Sequence, residues 1–122
     1  MDASLLQRID FIRLTMNLGG NKHAIKDMLE LFLKSASDSL KKIEAAEKAG
    51  DVAQWARITH HLKGAAQNIT AKRLVSLCIE AEAITTLPHE QASAVLYHMH
   101  KELALLNEAI TKHLGSGRHS IL

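Results

Sequence analysis

Between Ile58 and Thr70 the chain reads ITHHLKGAAQNIT: two adjacent histidines, a lysine and a glycine within thirteen residues. A water-exposed imidazole, with an ordinary pKa near 6.5, is largely neutral at pH 7 and keeps a lone pair on one ring nitrogen. It is therefore a nucleophile that needs no strong base. A lysine one helical turn away offsets the charge of an attached phosphoryl group. Glycine in a helix costs roughly 1 kcal/mol relative to alanine, so Gly64 asks for a compensating reason, and a partner that must approach closely supplies one.

Helical geometry separates the two histidines. At about 100° per residue, Trp55, Ile58, Thr59, Leu62, Ala65, Ala66 and Ile69 share one arc of roughly 120°, the core face. His60 points roughly 160° from the centre of that arc, into solvent, while His61 lies about 100° away, at the flank against a neighbouring helix. Residues three and four apart are neighbours on a helix, so His60, Lys63, Gly64 and Gln67 form one surface. Gln67 is placed to orient the ring or to hydrogen-bond a partner. Because Gly64 points away from the core, close helix packing does not account for it.

The elements that carry this helix follow from apolar spacing. One proline and six glycines leave few breaks, and no stretch alternates strictly as a strand would. A short helix is expected over 4–16, with Leu5, Leu6, Ile9, Ile12 and Met16 on one side. LGGN at 18–21 turns the chain, and Asn21 caps a long helix over 22–48 with Ile25, Met28, Leu29, Phe32, Ala36, Leu40 and Ile43 inward. Gly50 closes it, and Asp51 with Gln54 resembles a capping box for the helix over 52–68. Thr70 is placed as the cap of a fourth helix over 71–86, with Leu74, Leu77, Cys78, Ala81 and Ile84 inward. Pro88 suits the first turn of a last helix reaching 114, whose inward residues are Ala92, Val95, Leu96, Met99, Leu103, Leu106 and Ile110. The expected fold is all-α: an antiparallel up-down four-helix bundle with a short N-terminal lid helix. Residues 1–114 form one domain and 115–122 a flexible C-terminal tail.

Composition narrows the function classes. The 122 residues are 47% hydrophobic and 23% charged, enough for one core. No apolar run approaches the roughly 20 residues that span a bilayer, and MDASLLQRID lacks the pattern of a signal peptide. The expectation is a cytoplasmic protein with no membrane partner. Net charge is only +2, the cations are scattered, and four aromatic residues offer no stacking platform, which argues against a nucleic-acid partner. Cys78 is the one cysteine and falls among inward residues, where it reads as an inert thiol. No histidine has a glutamate three residues before it, and no two histidines are three or four apart, so bundle metal sites find no ligand pattern. A bundle of this size closes its own core, and a monomer is expected. The initial Met1 and the short tail favour a free-standing protein.

The stretch HHLKGAAQNITAKRL resembles the His-x-Leu-Lys-Gly signature of histidine-containing phosphotransfer (HPt) domains. His60 falls on the phosphorylated histidine, Leu62 on the core leucine, and Lys63 and Gly64 on the lysine and glycine. Leu74, Cys78 and Glu82 match the next helix of the family pattern. The segment from Asn17 to Asp51 resembles the family's first bundle helix, with its leading Gly-Gly and Phe32, and the likeness covers roughly 15–114. One departure is Thr70, where the family commonly has glycine.

The resemblance implies a phosphorelay intermediate without ATP-dependent kinase activity of its own. His60 would take a phosphoryl group, through Nε2, from a receiver-domain aspartyl phosphate and pass it to another receiver's aspartate. The implied partners are response-regulator receiver domains and a hybrid sensor kinase. Mg²⁺ would come from the receiver, with no cofactor held by this chain. Arg57, Lys63, Gly64 and Gln67 are the expected docking residues. The alternative is a helical-bundle adaptor that binds a partner without phosphotransfer. The phosphoacceptor hairpin of a sensor kinase fits less well, since there an acidic residue usually follows the histidine and here His61 does.

Overall fold

The computed structural model of the chain describes residues 7–115. Among them are five helices: α1 (Phe11–Asn17), α2 (Lys22–Ala49), α3 (Val52–Asn68), α4 (Lys72–Glu82) and α5 (Ala92–Leu114). The sequence explains most of their ends. Asn21 accepts a bond from Ala24 N at 3.1 Å and opens α2. Gly50 closes α2 at φ 68°, the left-handed conformation that glycine adopts without a Cβ penalty. Asp51 opens α3 by accepting from Gln54 N at 3.1 Å. Only this half of the capping box forms, because Asp51 N donates to Ala46 O at 2.9 Å while Gln54 Oε1 accepts from Arg57 Nε.

The helices α2 to α5 form a ring in which each packs on its chain neighbour and α5 closes against α2. This is the expected all-α four-helix bundle with a short N-terminal helix. The inward residues expected on α3, α4 and α5 are buried, except that Ala65 is only partly so. Met28 on α2 is likewise partly buried, while Leu33 and Ala46 join the core. Trp55 is fully buried, and its indole Nε1 donates to Ala81 O at 2.8 Å. That bond ties the start of α3 to the end of α4. Cys78 is buried, and burial pushes its thiol up to about 12, as an inert core residue requires.

Three expectations are corrected. The N-terminal helix does not run unbroken over 4–16. Residues 1–6 lie outside the described residues, Ile9 forms a bridge with Ala71, and α1 restarts after Asp10, whose side chain accepts from Arg13 N. The break re-phases the helix, so Leu14 is buried while Ile12 and Met16, expected inward, are 74% and 75% exposed. Thr70 does not cap α4. The cap position is Ala71, and Thr70 sits at φ +59° in the turn that ends α3, with its N donating to Gln67 O. Finally, α4 stops at Glu82 rather than 86, and α5 starts at Ala92, so Pro88 lies in the connection between them after a cis Leu87–Pro88 bond. The residue before a proline disfavours helical backbone, which keeps Leu87 out of a continuous helix. Most of the tail expected over 115–122 lies outside the described residues.

Two measurements test this packing. Trp55→Phe removes the Ala81 bond and leaves a smaller ring, and should lower stability by about 1–3 kcal/mol in urea unfolding. Glu102 on α5 is 6% exposed, with Oε2 3.5 Å from Arg8 Nε. Burial raises its carboxyl above the usual range against the opposing pull of Arg8 and Arg73. The unfolded chain ionises more readily there, so stability is highest with the carboxyl protonated and falls as pH rises from about 4 through the raised value. Glu102→Gln should flatten that slope.

Candidate functional site

Burial of the Trp55–Ile69 stripe sets the rotation of α3 and turns His60 outward. The His60 side chain is 75% exposed, and Gly64 stands one turn along the same helix. A Cβ built on Gly64 would meet nothing within 4 Å. The glycine is therefore not needed for packing within this chain, and its bare backbone leaves the space beside His60 open. His61 is exposed as well, but along the other flank. There it lines a groove with Leu31, Lys34, Asp38 and Lys42 of α2, as the wheel placed it. Arg57 stands in the same groove, its Nε bonded to Gln54 Oε1 at 2.7 Å.

The group that organises the site comes from α4. Glu82 Oε1 lies 3.4 Å from His60 Nδ1, and Glu82 Oε2 accepts from Lys63 Nζ at 3.0 Å. One carboxylate thus faces both the imidazole and the ammonium. Oε1 is buried and has no hydrogen-bond partner in the present geometry, and an unpaired buried carboxylate oxygen is costly. The nearby ring nitrogen is the natural donor, so the Nδ1–H tautomer is favoured. Nε2 is then the atom that carries the lone pair. Lys63, 20% exposed in its side chain, is already ion-paired rather than standing free at the edge of the patch.

Gln67 is exposed and faces away from this pair. It lines a cleft of about 450 Å³ with Asp10, Arg13, Asn17, Thr70, Lys72 and Val75. The structure therefore brings His60, Lys63 and Gly64 together, adds Glu82, and leaves Gln67 and Arg57 on opposite sides of the ridge. Sequence reading placed Glu82 only in a family pattern and gave it no role. Its signal was its position one turn after Cys78, at the flank of the inward stripe of α4, where a carboxylate can meet a cation on the adjoining helix. Among the described residues no group of three His, Cys, Asp or Glu side chains is arranged to hold a metal ion. No described helix is long and apolar enough to cross a membrane.

A four-helix bundle with an exposed, carboxylate-backed histidine on its second long helix defines a recognisable class. The Hpt domain family model matches residues 27–112, and the chain belongs to that family. The crystal structure of histidine-containing phosphotransfer protein B (HptB) from Pseudomonas aeruginosa PAO1 is similar in fold. Its TM-score is 0.74 at 23% identity, over 83% of this chain and 90% of that one. No curated protein sequence matches. Membership places the chain among histidine phosphotransfer proteins of two-component phosphorelays, which are intermediates rather than ATP-dependent kinases and interact with receiver domains and kinases.

The Glu82 contact has a spectroscopic consequence. Nitrogen-15 NMR of the His60 ring should show the Nδ1–H tautomer dominant in the neutral wild-type protein. Glu82→Ala should move the ring toward Nε2–H, the form that free imidazole side chains prefer.

Proposed function

We propose that His60 is the phosphoryl acceptor and donor of this Hpt domain. It takes the group from a receiver-domain aspartyl phosphate and passes it to the aspartate of another receiver. The observation that carries this reading is the His60 ring itself: 75% exposed, with Nδ1 turned to Glu82 and Nε2 left to solvent.

The chemistry balances with the groups present. The Nε2 lone pair forms the N–P bond as the acyl phosphate P–O bond breaks, and the aspartate leaves as a carboxylate. Nδ1 keeps its proton, so the ring becomes cationic, and Glu82 stabilises that charge from 3.4 Å. Lys63, 3.0 Å from the same carboxylate, is close enough to share its charge between Glu82 and the incoming phosphoryl oxygens. The reverse transfer uses the same positions. Phosphoryl transfer depends mainly on alignment and charge, and the receiver supplies Mg²⁺. This chain contributes a fixed nucleophile, an unobstructed approach over Gly64, and a basic flank. That flank comprises Arg57 with Lys34 and Lys42 across the α2–α3 groove, three cations against the one carboxylate of Asp38, and it suits the acidic pocket of a receiver. Gln67 extends the docking face on the other side.

Incubation with a phosphorylated receiver domain and Mg²⁺ tests the reading. Wild type and His61→Gln should acquire acid-labile, alkali-stable label, and His60→Gln should acquire none. Label that persists in His60→Gln, or that disappears only in His61→Gln, contradicts the assignment.

A further inference from the structure

The groove between α2 and α3 holds a titratable group that the transfer chemistry leaves unused. Its α2 wall carries Lys34, Asp38 and Lys42, its α3 wall carries Arg57 and His61, and the rest of its lining is uncharged. Lys34, Asp38 and Lys42 follow at four-residue intervals along one side of α2, so the carboxylate stands one turn from each lysine. Arg57 and His61 are also four apart and share one side of α3. Arg57 is anchored through Nε to Gln54 Oε1 at 2.7 Å, and both it and His61 are exposed. The groove therefore has a standing excess of cations and one position whose charge is not fixed.

His61 follows His60 directly in the chain, so their Cα atoms are about 3.8 Å apart and their side chains diverge by about 100°. A protein that closes over Nε2 of His60 also reaches the mouth of the groove. The two rings have different surroundings. Glu82 faces His60 at 3.4 Å, whereas the groove around His61 offers only Asp38 against Lys34, Lys42 and Arg57. Histidine is the side chain that ordinarily changes charge between about pH 5 and 8. A proton on His61 adds a fourth cation to the groove. Charge at the rim of an interface steers encounter and sets its salt dependence.

We infer that His61 is a specificity-determining residue for docking, whose protonation switches the α2–α3 groove from a weakly to a strongly cationic state and so tightens capture of a receiver domain as pH falls. The acidic pocket of the receiver supplies the complementary charge. By linkage, a partner that prefers the protonated form takes up a proton at His61 as it docks. The chemical step stays with Nε2 of His60, so the effect falls on KM and not on kcat. This rests on the phosphotransfer reading of His60.

The test compares full-length wild type, His61→Gln and His61→Lys between about pH 8 and pH 5.5. Mg²⁺-dependent transfer from a receiver domain phosphorylated by acetyl phosphate gives KM and kcat, and direct labelling by phosphoramidate gives the intrinsic reactivity of His60. Titration of the receiver and of His60 is common to the three proteins and cancels in the ratio of their KM values. The ratio of His61→Gln to wild type should rise from about one at the alkaline end to about three- to fivefold at the acid end. Phosphoramidate labelling and kcat should differ by less than about twofold. His61→Lys should match protonated wild type across the range, and the differences should shrink as salt is added. A flat ratio, with all three proteins accepting label, overturns the inference and leaves the phosphotransfer reading intact. A His61→Lys protein that follows His61→Gln removes charge as the cause and overturns it as well. If phosphoramidate labels His60 but no receiver does, the phosphotransfer reading fails and the inference falls with it.

Discussion

The rotation of α3 about its own axis is the constraint on which the rest depends. Trp55, Ile58, Leu62, Ala66 and Ile69 each keep no more than 5% of their surface exposed, and together they admit one orientation of that helix. Burying the aliphatic side chains larger than alanine among them contributes about 1.5–3 kcal/mol each. Turning α3 to bring His60 inward would lift several of them into water at once. The bond from Trp55 Nε1 to Ala81 O also sets the height of α3 against α4. With rotation and height both set, Glu82 arrives beside His60 and Lys63.

That arrangement resolves a conflict between exposure and order. A nucleophile that must enter another protein's pocket has to stand in solvent, where a side chain is otherwise free to turn. Glu82, partly covered at 28% side-chain exposure, lies 3.4 Å from Nδ1 of the ring, which stays 75% exposed. The Lys63 contact fixes the carboxylate in turn. Two helices thus share the work: α3 provides the proposed nucleophile and the open lane over Gly64, and α4 provides the counter-charge. Gly64 weakens α3 locally, and the buried face of the same turn, Leu62 and Ala66, offsets that weakness.

Much of this was legible in the sequence. Apolar spacing marked α2, α3 and the inward faces of α4 and α5, because each buries a regular stripe against a neighbour. Wheel geometry separated His60 from His61 for the same reason. The signature around His60 named the family that the Hpt match identifies. What escaped were features set by tertiary contact. Ile9 pairs with Ala71, which broke the N-terminal helix and moved Ile12 and Met16 outward. Thr70 looked like a cap by residue type, but the turn closing α3 claimed its backbone. Glu82 gained its place only when α4 packed beside α3, and pairing across helices is not written in the spacing of either one.

The central claim is that Glu82 holds the proton at Nδ1 and leaves Nε2 of His60 as the reacting atom. Correlated phosphorus–nitrogen NMR on protein phosphorylated by a receiver domain tests it most directly. The account predicts a phosphoryl group on Nε2 of His60 with Nδ1 still protonated. A phosphoryl group on Nδ1, or on His61, would contradict it.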